Sequence, residues 1–444
     1  MKCSSFFSSP ARTARYLAFC VLLSLDLVAW QTWLFKADPL WIQVEFAIKL
    51  LTPIVLLSVF RCYVPPPKAR ILLALYALLI LYVLALAPFS EDPALVLINT
   101  CKFLYAISIL FVLFLIVRPA EFSLKFLYVP VFLGVLFSLQ AVTVFTLVHT
   151  GHQPEGHIVT LVGYKNMKFL SYGILGYAAS LMGGEGSVMV YRAQSFFGEP
   201  TRLASFLEVS AILAMGFYIV RRERKMLVAA LLCATAWLLA FSMTGYVVGF
   251  LVVVFYFWTT SWRKWKYLAP ALTAVIGALV VVAVLTYLKA AVALYAQPGL
   301  VAFAFGHPGS EVTYRVGFVR ESIRLFLDYP FGIGVIGVEN SRILEKYPGA
   351  GGLIAPMVWV VIGGIVGLTL QLAIVLFAIF KVVFRQVQRK GRMERYIALA
   401  FVAQVLHHCV AGDWFDPLFF VMLASLILTD SYAFSFAATP KACT

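Results

Sequence analysis

The stretch GSEVTYRVGFVRESIRLFLDYPFGIG, residues 309–334, is a polar island in a very apolar chain. It carries Arg315, Arg320 and Arg324, then Pro330 and a glycine turn at Gly332 and Gly334. Its apolar residues Val316, Val319, Ile323 and Phe326 recur at helical spacing, which predicts a helix over about 313–327. Arg320 and Arg324 are four apart and share a face, while Arg315 lies beside the apolar stripe. Two accounts fit such a helix. It is an interfacial helix whose arginines meet lipid headgroups, or it is an anion site at a membrane surface.

The rest of the chain sets the solvent. Of its 444 residues, 62% are hydrophobic and 12% charged. A water-soluble domain cannot bury that much apolar side chain. The expected fold class is all-α: a polytopic integral membrane protein with about 12 transmembrane helices and two long outer loops, forming a single membrane domain over 1–444. The spans fall at roughly 16–35, 41–60, 70–88, 93–117, 122–148, 202–220, 226–242, 244–258, 267–288, 354–380, 396–411 and 417–434. The first has no small-residue cleavage pattern and reads as a retained span. Spans seven and eight are separated only by Met243-Thr244, which predicts a tight helical hairpin. The two long outer loops are 149–201 and 289–353, and long ordered loops usually carry function. Within the first, 169–182 is apolar but too short to span, and it reads as interfacial or re-entrant.

Lysine and arginine concentrate in alternate short loops, at Arg61, Lys68, Arg70, Arg118, Lys125, 221–225, 263–266 and 381–395. The positive-inside rule makes these loops and both termini cytoplasmic. Much of the net charge of +15 is then a topology signal, and no nucleic-acid partner is expected. The seven cysteines show no metal-ligand or disulfide spacing, so neither a metal site nor a disulfide is expected. All six histidines fall on the predicted outer side. Asp26, Lys102 and Glu208 lie inside predicted spans, as do Glu45 and Lys49, four apart. A charge there costs about 2.5–3.5 kcal/mol on insertion scales and should face the bundle interior. Glu208 lies about two turns below Arg202. It either supports an outer arginine or forms a salt bridge between helices.

A second arginine stretch, YRAQSFFGEPTRLASFLEVS, spans 191–210. Arg192 precedes an aromatic pair and a turn at Gly198-Glu199-Pro200. Thr201 can cap the next span, and Arg202 opens it. A cation there opposes the helix dipole, so Arg202 needs an anionic neighbour or water. A bound phosphate would serve both the helix end and the arginine.

From Arg192 onward the sequence resembles the bacterial O-antigen ligase and polymerase superfamily, which includes exopolysaccharide repeat-unit polymerases. Residues 192–207 resemble its arginine, Glu-Pro and apolar pattern before a span. Phe241-Ser242-Met243-Thr244-Gly245 falls at its Ser/Thr-rich break. Residues 315–334 resemble its arginine followed by P-x-x-G-x-G, and Gly364-Ile365-Val366-Gly367 its glycine pair in the next span. The first 150 residues resemble it by topology alone. The ligases carry a histidine near the start of the tenth span. Here 351–356 has none, and Glu199-Pro200 looks more like the polymerase branch.

The resemblance implies a GT-C-like membrane glycosyltransferase in the bacterial inner membrane, facing the periplasm. It implies a polyprenyl-diphosphate-linked oligosaccharide as donor and as acceptor, no cofactor, and other polysaccharide assembly proteins as neighbours. An O-antigen ligase acting on lipid A-core and a lipid-linked glycan flippase are the competing functions. Arginines suit a leaving diphosphate because their fork-shaped donors match its oxygens. Arg192 and Arg315 are the first candidates for that role, Arg202 and Arg320 the second, and Arg324 a further one. A base must take the acceptor proton. Glu199 is the first candidate, and His407, His408, Asp413 and Asp416 are the alternatives.

Overall fold

The computed structural model describes residues 64–116, 124–152, 169–171, 177–181, 190–195, 200–261, 311–335, 355–389, 392–410 and 416–431, with a few single positions besides. The first and ninth predicted spans, and most of the second, lie outside these residues, as do Asp26, Glu45 and Lys49.

Helices dominate. The first three are α1 (Pro67–Leu86), α2 (Pro93–Ile116) and α3 (Tyr128–His149). Three short strands follow, β1 (Phe169–Ser171), β2 (Tyr177–Leu181) and β3 (Val190–Ser195). Next come α4 (Pro200–Arg221), α5 (Arg224–Leu239) and α6 (Met243–Ser261). The last group is α7 (Glu311–Asp328), α8 (Ala355–Ala378), α9 (Phe384–Val387), α10 (Met393–Val410) and α11 (Pro417–Ser431). Prolines open α1, α2, α4 and α11, where a missing N–H removes no helical bond. The stretches Pro67–Phe89, Tyr128–His149, Pro200–Arg221 and Pro356–Val387 are long and apolar enough to cross a membrane, while Thr244–Thr259 and Pro417–Ser431 are apolar but shorter. These helices mark a membrane protein.

Among the described residues the chain departs from the all-helical expectation in one place. The segment read as interfacial or re-entrant supplies β1 and β2, which join β3 in an antiparallel sheet of order β1-β2-β3. A short apolar segment cannot leave its backbone groups unpaired beside a membrane, and strand pairing satisfies them. The register slips between Tyr177 and Ala178, which pair with Ser195 and Ala193. Ser195, in the left-handed region at φ 51, donates its hydroxyl to Gln140 Oε1 of α3 at 2.9 Å. Phe197 then packs edge-on against Phe137 at 5.2 Å.

α4 is packed by α3, α5, α6 and α10. It runs antiparallel to α10. Gly216 lies against the Tyr396 ring, Ser205 meets Gln404, and Arg202 acts on His408. Other pairings agree with the loop charges about which residues share an end. Lys68 and Arg385 both pair with Asp430, Arg389 lies 3.7 Å from Glu394, and Tyr128 donates to Glu223 at 2.6 Å.

At the opposite end the turn after α7 is locked into a break in α8. Gly364 sits at φ 54, ψ −144, outside helical geometry. Ile333 and Gly334 donate their N–H groups to the carbonyls of Val361 and Ile362 at 3.0 and 2.9 Å, and Ile365 N–H donates to Pro330 O at 2.9 Å. Tyr82 OH adds a bond to Phe331 O at 2.6 Å, and Asn99 one to Val335 O at 3.1 Å. Tyr347 OH donates to Asp328 at the end of α7, which raises its phenol pKa. The two glycine motifs of the sequence are thus two halves of one contact.

A Cβ on Gly364 would lie 2.1 Å from Pro330 O, and one on Gly332 2.5 Å from Ile362 O. Gly364→Ala should therefore destabilise by about 1–3 kcal/mol or more. Gly367→Ala, whose added Cβ meets only ordinary contacts at 3.5 Å, should be tolerated. Thermal unfolding of both variants in one detergent checks this, and equal midpoints would contradict the lock.

Candidate functional site

The start of α4, the end of α10 and the α5–α6 turn converge at one end of the bundle, beside β3. The turn is built tightly. Phe241 takes a left-handed conformation at φ 43. Ser242 caps α6, its hydroxyl accepting from Gly245 N–H at 3.2 Å, as capping serines do. The same hydroxyl reaches Thr201 Oγ1 of α4 at 3.4 Å. A Cβ on Gly245 would lie 2.9 Å from the Ala204 methyl, so glycine lets α4 and α6 approach closely.

Two of the predicted arginines come to this end. Arg192, half-buried on β3, acts electrostatically on the Tyr246 hydroxyl. Arg202, half-buried in the first turn of α4, acts on the buried His408 ring, which packs edge-on to Phe419 at 5.4 Å. Below them a polar ladder crosses the α4–α10 interface. Gln404 donates to Ser205 Oγ at 2.9 Å, and His407 Nε2 lies 2.7 Å from Glu208 Oε2. Both members of the latter pair are buried. The spacing explains the ladder: Arg202, Ser205 and Glu208 recur every three residues on α4, as do Gln404 and His407 on α10. Of the two expected roles, Glu208 takes the bridge between helices. Its partner is a histidine.

The remaining candidates divide. Asp416 Oδ1 accepts from Leu418 N–H at 2.8 Å and so caps α11. That engagement explains its position without proton chemistry. Glu199 and Asp413 lie outside the described residues. Arg315 is on α7, but its side chain lies outside what is described. Arg320 and Arg324 are exposed on α7, which packs on α8, and Arg324 pairs with Glu321 at 3.2 Å. They occupy the surface arm of the α8 lock. The sequence reading missed Ser205, Gln404 and Tyr246. The first two were visible as polar positions three residues from Glu208 and His407 on otherwise apolar helices.

Among the described residues no group of three His, Cys, Asp or Glu side chains is placed to hold a metal. What the arrangement offers is two guanidiniums at a membrane-helix end, a hydroxyl pair, and a buried carboxylate–imidazole pair beneath. Guanidiniums bind phosphate oxygens in a fork, and the buried pair can hold or pass a proton. No protein-family model matches the chain, and no curated protein matches it in sequence.

Glu208→Ala should leave the His407 nitrogen buried without its acceptor, at a cost of about 1–3 kcal/mol. Glu208→Gln keeps an acceptor oxygen and should cost less. Unfolding midpoints measured side by side distinguish the two, and identical losses would mean that the hydrogen bond contributes nothing.

Proposed function

We propose that the protein is an integral-membrane glycosyltransferase that polymerises polyprenyl-diphosphate-linked oligosaccharide repeat units into exopolysaccharide or O-antigen. In this reading it has about 12 spans in a GT-C-like arrangement. It resides in the bacterial inner membrane with both termini cytoplasmic, and its site faces the periplasm.

One observation supports the reading most. Arg192 and Arg202, from different secondary elements, come to the same end of an apolar bundle as a set of proton-bearing side chains. A lipid diphosphate needs such a place, with its charge at the headgroup level and its chain in the bilayer. The acceptor hydroxyl oxygen attacks the anomeric carbon of the donor. The bond from that carbon to the diphosphate oxygen breaks, and the electron pair leaves with the diphosphate. Arg192 and Arg202 offset the charge that develops there, with Arg315 as a third guanidinium from α7. The hydroxyl proton passes to Glu199, placed by sequence at the start of α4.

The test uses purified full-length protein and lipid-linked repeat units. Arg192→Ala should lower polymer formation by about 10²-fold or more, and Glu199→Gln should lower the rate with little change in donor binding. Wild-type polymer yields from both Arg192→Ala and Arg315→Ala would sink the assignment.

A further inference from the structure

The α4–α5 loop lies at the other end of α4 from Arg192 and Arg202. An open cavity of about 570 Å³ there is lined by Tyr128, Arg221, Glu223, Arg224 and Lys225. We infer that it is a binding site for a phosphate group carried at the membrane surface, such as the headgroup of an anionic phospholipid.

The argument starts with Arg221. Its guanidinium lies over the Phe217 ring at 5.4 Å and the Tyr128 ring at 5.9 Å. Those two rings stack on each other at 4.2 Å, 14° from parallel. Arg221 Nη1 also donates to Tyr128 OH at 3.0 Å. The cation is thus held in place before any ligand arrives, which lowers the ordering cost of binding. Arg222 follows in the left-handed region at φ 59. An arginine there is strained, and such strain persists where the surroundings enforce it. The reversal sets Arg224 and Lys225 beside Arg221 across the cavity.

The charges do not cancel. Three cations line the cavity against one carboxylate. Glu223 is already engaged, accepting from Tyr128 OH at 2.6 Å and lying 3.9 Å from Arg221 and 3.8 Å from Lys225. It makes no side-chain cap on α5 although it occupies the N-cap position. The first N–H groups of α5 therefore add to the positive field without a capping carboxylate. Basic pockets at the ends of membrane helices are suited to anionic headgroups.

The experiment is a thermal-shift titration of the full-length protein in neutral detergent. The probes are short-chain phosphatidylglycerol, inorganic phosphate, and short-chain phosphatidylcholine as the zwitterionic control. Because Arg221 also braces Tyr128, the variant is Arg224→Gln with Lys225→Gln, whose side chains are exposed. Phosphatidylglycerol should raise the unfolding midpoint of the wild type, and the variant should need about tenfold more of it, as loss of charge-assisted bonds predicts. A variant-sensitive shift with inorganic phosphate alone supports the site with a soluble phosphate as its source. No shift with either anion, a shift equal in wild type and variant, or an equal response to phosphatidylcholine overturns it.

Discussion

Three backbone hydrogen bonds between the 330–334 turn and the break in α8 carry much of the architecture. A broken helix in an apolar setting exposes N–H and C=O groups that nothing else can satisfy, at a cost of several kcal/mol each. Here the turn after α7 supplies those partners. Val361 and Ile362 give up their carbonyls to the turn, and Ile365 takes one back from Pro330. The exchange needs two backbones closer than any side chain permits, which is why both sides are glycine. It also fixes the arginine-bearing helix α7 to the membrane bundle, with Tyr82 and Asn99 each adding a side-chain bond to the turn.

The same demand for pairing shapes the α4–α10 interface. Glu208 would be ruinous alone inside α4. With His407 against it, and Gln404 against Ser205 one turn away, two otherwise apolar helices acquire a single acceptable register. Interhelical polar bonds in membranes are worth only about 0.6–2 kcal/mol each. Their larger effect is to exclude other alignments, since any slip strands a buried polar group. The half-buried arginines above the ladder inherit their placement from it.

Much of this was legible in the sequence. Each predicted span that falls on described residues is a helix, because long apolar runs bounded by proline, glycine and basic loops have few other options. The Asp416-Pro417 pair is a plain helix start, yet the chemistry of a carboxylate near two histidines drew attention away from the cap. Both glycine motifs were visible, but not that they touch. Their contact is made by backbone atoms and leaves no side-chain pattern to read. The histidine partner of Glu208 was hidden by distance along the chain, so the sequence left a bridge between helices and support of Arg202 side by side. The sheet was missed because β1 and β2 are short and lack clear alternation, so their pairing depends on β3.

The Glu208–His407 bond has a consequence for how the protein is made. The two residues are 199 positions apart. At a synthesis rate of ~5–20 residues per second, α4 enters the membrane about 10–40 s before its partner exists. During that interval the carboxylate has no imidazole to meet. It must be protonated, hydrated, or sheltered by the insertion machinery until α10 follows. The last spans therefore close a bond that the middle of the chain has been waiting to make. A protein truncated before α10 would leave Glu208 without its imidazole.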